Sequence, residues 1–444
     1  MVRKLCRIRN LENLLKNTYK DNMKVLVIGS GGREHALAWQ CAKFDDIDQV
    51  FVAPGNAGTQ LENKLTNVDI GVEDLDGLVD FAKTQQIDLT IVGPEAPLVI
   101  GVVDRFTEEG LRIFGPSQAA SQLEGSKAFC KDFLDRNSIP TAFYDVFTEV
   151  EPAINYVKEK GVPIVIKADG LAAGKGVIIA NTQQEAEAAI NDMLEGNRFG
   201  EAGSRVVVEE FLVGEEASFI VMVDGKNILP MATSQDHKAR DNGDKGPNTG
   251  GMGAYSPAPI VTDEIFADVM QSVIRPTVDG MAAEGNPYTG FLYAGLMIDK
   301  TGKSKVLEYN CRFGDPETQP IMMRLQSNLA QLCLLATQGK LDQATINWDQ
   351  RSAMGVVLAA NGYPDAYPSG EVIVLPEDQD DAKVFHAGTR ADGADIVSSG
   401  GRVLCATALG DNTKDAQDKA YTLVDQIDWP NAYYRTDIGF KAIT

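Results

Sequence analysis

The sequence has no excess of basic residues. Lys and Arg number 41 against 63 Asp and Glu, which gives a formal net charge of −22. Because nucleic acids and anionic membrane surfaces are bound by basic faces, this balance argues against both as partners. Small phosphorylated ligands remain open, since they need only a few local lysines. No apolar run approaches the roughly 18 residues of a membrane span.

Paired cysteines are also missing. Six cysteines are scattered along the chain, and none forms a Cys-x-x-Cys pair. Since disulfides persist mainly in oxidising compartments, this pattern predicts free thiols and a cytoplasmic location. There is no internal repeat, and no large apolar surface stripe is evident, which favours a monomer.

The first 22 residues differ in composition from the rest. They carry six Lys or Arg, with only Glu12 and Asp21 as acids, and lack the continuous apolar core of a secretory signal. A mitochondrial-type presequence and an extension from an upstream start both remain open. The extension is favoured, because Met23 immediately precedes a clean strand.

The length of 444 residues predicts two to four domains at roughly 100–200 residues each. A buried strand at Lys24–Ile28, glycines and an apolar helix follow one another, as in the first unit of a doubly wound sheet. We therefore predict an α/β protein with an open, Rossmann-like domain over 23–125. A middle region spans 126–345, with a subdomain over about 145–212, and a small β-rich domain spans 346–444.

The dinucleotide-binding fingerprint is incomplete. Its third glycine position holds Glu34, and the second strand ends in Pro-Gly-Asn56 where an acid would bind the adenosine ribose. These departures disfavour a nicotinamide-dependent dehydrogenase. A phosphate at the N-terminus of the following helix, near Gly31 and Gly32, remains favoured. His35 is interpreted as a capping or packing residue rather than a ligand.

The phosphate-loop motif of P-loop NTPases is absent as well. Residues 162–180 place two β-branched runs around a glycine loop, with Lys167 and Lys175 at its edges. Gly170 and Gly174 are one residue too close for that motif, no hydroxyl follows Lys175, and the loop enters a strand. This pattern predicts a hairpin that covers a triphosphate. An ordinary mobile hairpin is the alternative.

Acidic residues follow two further predicted strands. Glu95 comes after the buried run that ends at Val92, at the edge where open α/β sheets bind ligands. It is predicted to hold an amine, unless it is a solvated turn carboxylate. Residues 209–216 resemble a nucleotide hinge in which Phe211 and Leu212 present backbone groups to adenine. Here a strand end with solvated acids is the alternative.

A long polar loop and an acidic strand complete the candidate site. Residues 234–256 are rich in Gly and Asn, which suggests either backbone contacts to an anion or disorder, and His237 and Lys238 are placed to reach a substrate phosphate. On the predicted strand Lys305–Asn310, Glu308 and Asn310 lie two apart and share a face. Their oxygens, with phosphate oxygens and waters, suit Mg²⁺ or Mn²⁺.

Eight motifs then resemble one family within the ATP-grasp superfamily, the phosphoribosylamine–glycine ligases, over about residues 23–440. These motifs are VLVIGSGGREHALAW, FVAPGNAGT, IVGPEAPL, QLEGSKAF, VIKADGLAAGKGV, ATSQDHK, GPNTGGMGAYSP and EYNCRFGDPETQP. The resemblance implies an ATP-grasp fold and ATP-dependent ligation of glycine to 5-phosphoribosylamine through a glycyl phosphate, in purine biosynthesis. The strand Gly295–Ile298 departs from many ATP-grasp enzymes by carrying no carboxylate, which leaves Asp299 as a weak substitute metal ligand.

The residues and the resemblance together give four groups of candidates. ATP binding is expected at Lys127, Lys167, Gly174, Lys175, Glu209, Glu210, Phe211, Leu212 and Glu216. Substrate binding is expected at Gly31, Gly32, Asn56, Glu95, Lys238, Asn248, Gly250 and Arg312. Catalytic roles are expected for Arg312, Lys175 and Asp236, and metal binding for Glu308 and Asn310.

Three competing functions remain distinguishable. A sister ATP-grasp ligase, such as a biotin carboxylase, would share the hinge and the acidic strand but not GSGGREHA together with GPNTGGMGAYSP. A dehydrogenase is opposed by Glu34. A non-catalytic nucleotide sensor would keep the glycine hairpin but need not keep Glu308, Asn310 and Arg312.

Overall fold

The computed structural model describes residues 22–171, 176–196 and 203–443. It begins with a parallel sheet in the order β3-β2-β1-β4-β5. The strands are β1 (Met23–Gly29), β2 (Ile47–Pro54), β3 (Leu65–Asn67), β4 (Leu89–Val92) and β5 (Ile113–Phe114). The helices are α1 (Gly32–Ala42), α2 (Ala57–Leu61), α3 (Leu75–Gln85), α4 (Glu95–Val99), α5 (Val102–Glu108) and α6 (Gln122–Gly125).

Strand β1 shows why this sheet lies at the centre of the molecule. Val25 and Val27 belong to one buried cluster, and Leu26 and Ile28 belong to another. Successive side chains of a strand point to opposite faces, so a continuously apolar strand needs cover on both sides. Later parts of the chain supply it, and the carboxyl ends of the strands are thereby held against the middle region.

The middle region contains two antiparallel sheets, in the orders β6-β9-β7-β8 and β11-β10-β16-β17. Their strands are β6 (Tyr144–Phe147), β7 (Ile164–Ala168), β8 (Val177–Ala180), β9 (Val206–Glu210), β10 (Glu215–Asp224), β11 (Ile228–Pro230), β16 (Thr289–Ile298) and β17 (Ser304–Asn310). The helices are α7 (Lys127–Arg136), α8 (Val150–Lys160), α9 (Gln183–Leu194), α10 (Asp263–Val269), α11 (Arg275–Ala283), α12 (Thr318–Arg324) and α13 (Leu329–Thr337). A π-helical segment, Met270–Ile274, joins α10 to α11.

The remaining strands form a sheet in the order β12-β15-β18-β23-β20, with β24 beside β18, and two small sheets, β13-β14 and β19-β22-β21. They are β12 (Gln235–Asp236), β13 (Ala239–Asp241), β14 (Lys245–Asn248), β15 (Gly253–Ser256), β18 (Ser352–Ala360), β19 (Val372–Ile373), β20 (Ala382–His386), β21 (Thr389–Asp392), β22 (Asp395–Ser398), β23 (Arg402–Gly410) and β24 (Ala432–Tyr433). Helix α14 (Thr413–Val424) and 3₁₀ turns at Leu341–Gln343 and Phe440–Ala442 complete the fold.

Most predicted elements are present with small shifts at their ends. The hairpin predicted within 162–180 is β7 and β8, paired from Ile164 opposite Ala180 to Lys167 opposite Val177. Helices α12 and α13 are separated by the non-helical residues 325–328. The alternative that residues 234–256 are disordered is wrong, since strands β12 to β15 lie within this segment. Because β15 pairs with β18, one sheet crosses the predicted boundary at 345–346.

The structure bears on two predictions from composition, the absence of a membrane span and the absence of disulfides. Within the described residues, no helix is long and apolar enough to cross a membrane. The cysteines of that part of the chain, Cys41, Cys130, Cys311, Cys333 and Cys405, are buried and free, as predicted.

Candidate functional site

Strand β17 places Glu308 and Asn310 on one face, as the alternation predicted. They lie opposite Gly295 and Tyr293 of β16, and both are half-buried. Burial alone would raise the pKa of Glu308, but the ammonium groups of Lys238, Lys167 and Lys127 outweigh it and bring the pKa below its usual value. Glu308 is therefore an ionised carboxylate that faces lysines from three separate elements.

The donor set of this strand fits a divalent cation that also binds phosphate. Within the described residues, no group of three or more His, Cys, Asp or Glu gathers to hold an ion. One carboxylate and one amide oxygen, completed by phosphate oxygens and water, are typical of Mg²⁺. Asp299 does not add to this set, because its Oδ1 accepts from Thr301 N at 2.7 Å and Lys303 N at 3.1 Å within its own turn.

Arg312 lies beside Asn310 and is surrounded by acceptors. Its Nη1 donates to Asn310 Oδ1 at 2.8 Å, and its Nε donates to Glu95 Oε2 at 3.2 Å. Its Nη2 lies 2.9 Å from Glu124 Oε1. Glu95 begins helix α4 and has its pKa lowered to about 2, because Arg312 and Arg33 outweigh its burial. The alternative of a solvated turn carboxylate at Glu95 is therefore wrong.

Glu124 is a member of the site that carried no predicted role. Its Oε2 accepts from Cys311 N at 2.7 Å, which ties α6 to the end of β17. Burial raises the pKa of Glu124 to about 7, and neighbouring Glu95 acts in the same direction against Arg312. Two carboxylates thus share one guanidinium with their pKa values far apart.

Glu209 has a different place from the one predicted. It is 2% exposed, lies 2.5 Å from Lys167 Nζ, and also forms an ion pair with Lys131. Lys131 Nζ in addition donates to Thr141 Oγ1 at 2.7 Å. The side chain of Glu209 is therefore committed to two lysines, which argues against its direct contact with adenosine.

Lys127 stands at the first position of α7 because Ser126 caps that helix, its Oγ accepting from Phe129 N at 3.1 Å. Its Nζ donates to Gly170 O at 2.8 Å, at the end of the covering hairpin. Asp169 fixes the same junction by accepting from Ala128 N at 3.0 Å. Gly174 and Lys175 lie outside the described residues.

The predicted hinge follows β9. Glu210 pairs with Lys305 at 2.9 Å, and Phe211 and Leu212 are half-buried. Glu216 lies 2.8 Å from Lys238 Nζ, which in turn is 4.0 Å from Glu308 Oε1. Lys238 thus connects the hinge to the predicted metal strand.

The glycine-rich loop, residues 234–256, places Asp236 and Lys238 near Glu216, but the side chain of His237 points away from Glu216. Burial raises the pKa of Asp236 to about 7, against the opposing effect of Lys238. His237 is buried, with Nε2 accepting from Gly439 N at 2.9 Å and Nδ1 lying 3.3 Å from Asp244 Oδ1. The prediction that His237 reaches a substrate phosphate is therefore wrong.

The other predicted substrate residues of this loop lie further along it. Asn248 ends β14 and is exposed. Gly250 donates its N–H to Tyr363 OH at 3.0 Å, and its carbonyl accepts from Arg402 Nη1 at 2.7 Å. Arg402 also reaches Asp315 O at 2.7 Å, so it joins this loop to the segment after β17.

The first glycine turn holds a carboxylate of its own chain. Gly31 N donates to Glu34 Oε2 at 2.6 Å, so Glu34 caps the helix N-terminus that was expected to bind phosphate. A Cβ at Gly29 would lie 2.2 Å from Glu34 Cγ, and one at Gly93 would lie 2.2 Å from Glu34 Oε1. These glycines make room for Glu34.

Three more predictions concern this turn. Gly32 packs against Gln319, whose Nε2 would lie 2.5 Å from a Cβ there. Asn56 caps α2 and donates to Ser30 O at 2.8 Å and to His386 O at 2.9 Å, so its amide braces the turn. His35 is buried, with Nε2 3.1 Å from Glu62 Oε1, which confirms it as a packing residue.

Sequence reasoning missed the partners that hold the site residues. Glu124 and Lys131 stand within or beside the QLEGSKAF motif, and their type and spacing carry no signal until the fold brings them to Arg312 and Glu209. The ADG sequence after β7 offered a weak signal for Asp169, because a buried strand that ends in a carboxylate needs a donor there.

Comparisons with known proteins agree over most of the chain. Family models of the phosphoribosylglycinamide synthetase N domain, ATP-grasp (A) domain and C domain match residues 23–124, 125–318 and 353–441. A phosphoribosylamine–glycine ligase of Vibrio vulnificus is 68% identical, and one of Salmonella typhi is 66% identical; each match covers 95% of this chain and 99% of the relative.

Solved structures show the same fold. The crystal structure of phosphoribosylamine–glycine ligase from Thermotoga maritima has a TM-score of 0.81 and 34% identity, covering 94% of this chain and all of that one. A biotin carboxylase from Campylobacter jejuni has a TM-score of 0.72 at 14% identity, covering 94% of each chain, which shows the fold alone.

These matches confirm the predicted resemblance, the α/β ATP-grasp fold class and a ligase of purine biosynthesis. They also argue against the three alternative functions, which were a nicotinamide-dependent dehydrogenase, a non-catalytic nucleotide sensor and another ATP-grasp ligase. The chain belongs to the phosphoribosylglycinamide synthetase family.

Proposed function

We propose that the site around β17 joins glycine to 5-phosphoribosylamine, with ATP converted to ADP and phosphate. The observation that carries this assignment is the ionised carboxylate of Glu308, which faces Lys127, Lys167 and Lys238 while Asn310 contacts Arg312. A carboxylate among lysines suits a metal–triphosphate complex, and the neighbouring guanidinium suits a substrate carboxylate.

Glu308 and Asn310 are the residues that would hold Mg²⁺ or Mn²⁺. The ion would neutralise charge on the transferring phosphoryl group. Lys127 and Lys167 are close enough to Glu308 to lower its pKa, and they bind phosphate oxygens in this proposal. Glu209 holds Lys167 in place, and Lys175 is a further proposed ligand of the ATP phosphates.

The first step is the activation of glycine. A glycine carboxylate oxygen attacks the γ-phosphorus, the bond to the bridging oxygen breaks, and ADP leaves with that bond's electron pair. Arg312 orients the glycine carboxylate, and Glu95 steers the amine of 5-phosphoribosylamine. The covering hairpin excludes water, which would otherwise hydrolyse glycyl phosphate.

The second step forms the amide. The amine nitrogen of 5-phosphoribosylamine attacks the acyl carbon, phosphate leaves, and the nitrogen gives up a proton. Asp236 is the proposed acceptor, because its pKa of about 7 suits a general base. Lys238, Asn248 and Gly250 approach the phosphoribosyl group from one side.

Gly31, Gly32 and Asn56 form the opposite side of this phosphoribosyl site in the proposal. Glu210, Phe211, Leu212 and Glu216 hold adenosine through the hinge, mainly by backbone groups. Asn56 acts by bracing the glycine turn, since its own amide already bonds Ser30 and His386.

The test measures phosphate release from ATP with each substrate omitted in turn. Release is expected only when both glycine and 5-phosphoribosylamine are present, together with Mg²⁺ or Mn²⁺. Release that ignores both substrates would overturn the assignment.

We also infer a cytoplasmic monomer. The buried free thiols favour a reducing compartment. Sedimentation at micromolar concentration tests the oligomeric state, and a dimer would contradict it.

A further inference from the structure

Two segments far apart in sequence are joined next to the proposed site. The substrate loop, residues 237–249, carries Lys238 and follows Asp236. The tail, residues 433–441, belongs to the last part of the chain. Hydrogen bonds and ion pairs connect the two, and the loop and tail residues that form these bonds have no role in the reaction proposed above.

Arg435 is the centre of this contact. It is fully buried, and its Nη1 lies 2.8 Å from Asp244 Oδ1 and 3.1 Å from Ala239 O. Its Nε and Nη2 hold Asp437 at 2.8 and 2.9 Å. Lys441 Nζ reaches Asp244 Oδ2 at 2.6 Å. Because His237, Lys441 and Arg435 outweigh its burial, the pKa of Asp244 lies well below its usual range.

Further bonds run along the edge of the contact. Tyr433 OH donates to Arg240 O at 3.0 Å and lies 2.8 Å from Asp241 Oδ1. Gly243 N donates to Asp437 Oδ2 at 2.7 Å. Asn242 and Thr436 bond each other through two pairs of atoms, at 2.6 and 3.1 Å. A contact with this many directed bonds fixes the position of the loop.

His237 transmits this position to the site. Its Nε2 accepts from Gly439 N, and its carbonyl accepts from Met252 N at 2.8 Å. In extended backbone neighbouring side chains alternate in direction. With His237 anchored toward the tail, Lys238 points the other way, with its Nζ 2.8 Å from Glu216 Oε2 and 4.0 Å from Glu308 Oε1. Asp236 lies on the same side, near Lys238 and Glu216.

We propose that the tail is a positioning element of the active site, in which Arg435 and His237 hold the substrate loop so that Asp236 and Lys238 face the reacting groups. This inference rests on the roles proposed for those two residues. It assigns no contact between the tail and a substrate.

The main variant is Arg435→Gln, measured for phosphate release with both substrates and for thermal unfolding. A misplacement on the order of 1 Å costs about 100-fold in rate, so we expect kcat to fall about 10- to 100-fold. KM for ATP is expected to stay within about 2-fold, since Lys127 and Lys167 lie on other elements. Arg435→Lys, which keeps the charge, is expected to recover part of kcat.

The matched control is Arg351→Gln. Arg351 also pairs with two aspartates, Asp349 and Asp381, in the same part of the chain but away from the loop. It is expected to change stability without changing kcat by more than about 2-fold. All rates are compared at a temperature where each variant is folded.

Equal losses of kcat in Arg435→Gln and Arg351→Gln, or a matching rise in KM for ATP, would overturn the proposal. If Arg435→Gln does not fold, the double variant Tyr433→Phe with Lys441→Gln is measured instead. Its kcat is expected to fall, and an unchanged kcat would overturn the proposal. Wild-type release that ignores both substrates would instead refute the proposed function.

Discussion

The two ion clusters on either side of Glu308 and Asn310 have opposite charge balances. On one side, Lys131 and Lys167 share the single carboxylate of Glu209, which leaves an excess of positive charge. On the other side, Glu95 and Glu124 share Arg312. The first cluster suits phosphate oxygens, and the second suits an ammonium group beside a carboxylate. We therefore assign the first cluster to the ATP side of the site and the second to the glycine side.

Removing the carboxylate between the two clusters should have the largest effect. Glu308→Gln keeps the size but loses the charge that would hold the cation. We expect metal-dependent phosphate release to fall about 1,000-fold. Near-normal Mg²⁺-dependent turnover in this variant, measured by phosphate release, would show that the metal assignment is wrong.

The positive cluster is tested next by Lys167→Gln. Loss of an ammonium group at a transferring phosphate is expected to lower kcat/KM for ATP about 100-fold. Lys158→Gln is the control, because Lys158 is an exposed lysine of the same sheet-and-helix unit and pairs only loosely with Glu187, at 3.8 Å. Similar kinetics for the two variants would remove the distinction between the clusters.

The other cluster is tested by Glu124→Gln, which keeps an acceptor for the Cys311 N–H. Loss of the Glu124 charge removes an ion pair that holds Arg312 in position. We therefore expect KM for glycine to rise about 10-fold and KM for ATP to stay unchanged. Steady-state kinetics with each substrate varied measures both constants. A rise in KM for ATP alone would contradict the division between the two sides.

A smaller effect is expected in the pH dependence of stability. The pKa of Glu124 is about 7 in the folded chain, above the roughly 4.3 of an unfolded glutamate. The folded chain therefore holds a proton that the unfolded chain releases between these values. The contribution of Glu124 to stability is complete below about pH 4 and declines as pH rises to 7.

Thermal unfolding across this range checks the sign. Glu124→Gln cannot release that proton and should flatten the decline relative to wild type. If stability declines with pH equally in the two proteins, Glu124 is not the group responsible for the decline.

The smallest effect is expected for Asp299→Asn. Its carboxylate accepts bonds from its own turn rather than facing Glu308. Metal-dependent turnover should stay within about 2-fold of wild type. A large loss that higher metal concentration restores would mean that Asp299 joins the metal site after all.

Local patterns predicted much of the fold and part of the site. The alternation along Lys305–Asn310 placed Glu308 and Asn310 on one face, and the apolar runs around the glycine loop predicted β7 and β8 in their observed pairing. Such periodicities are properties of a few neighbouring residues. The roles of Lys131 and Glu124 could not be found this way, because their partners are distant in sequence.

Glu34 and Glu209 show where local reasoning failed. At Glu34, a missing glycine correctly argued against a dinucleotide, yet nothing nearby indicated that its carboxylate would take the Gly31 N–H. At Glu209, an acidic strand end resembled part of an adenosine-binding hinge, but its carboxylate pairs with two lysines from α7 and β7.

The sequence by itself determined the composition-based exclusions, the family and the face of β17 that carries Glu308 and Asn310. Long motifs and a period of two residues suffice for these. Only the tertiary structure decided which charged side chains form ion pairs. Examples are the pairs of Arg312 with Glu95 and Glu124, and the pair of Asp244 with Arg435. Ion pairs depend on distances of a few ångströms between elements more than 100 residues apart, and only chain folding sets those distances.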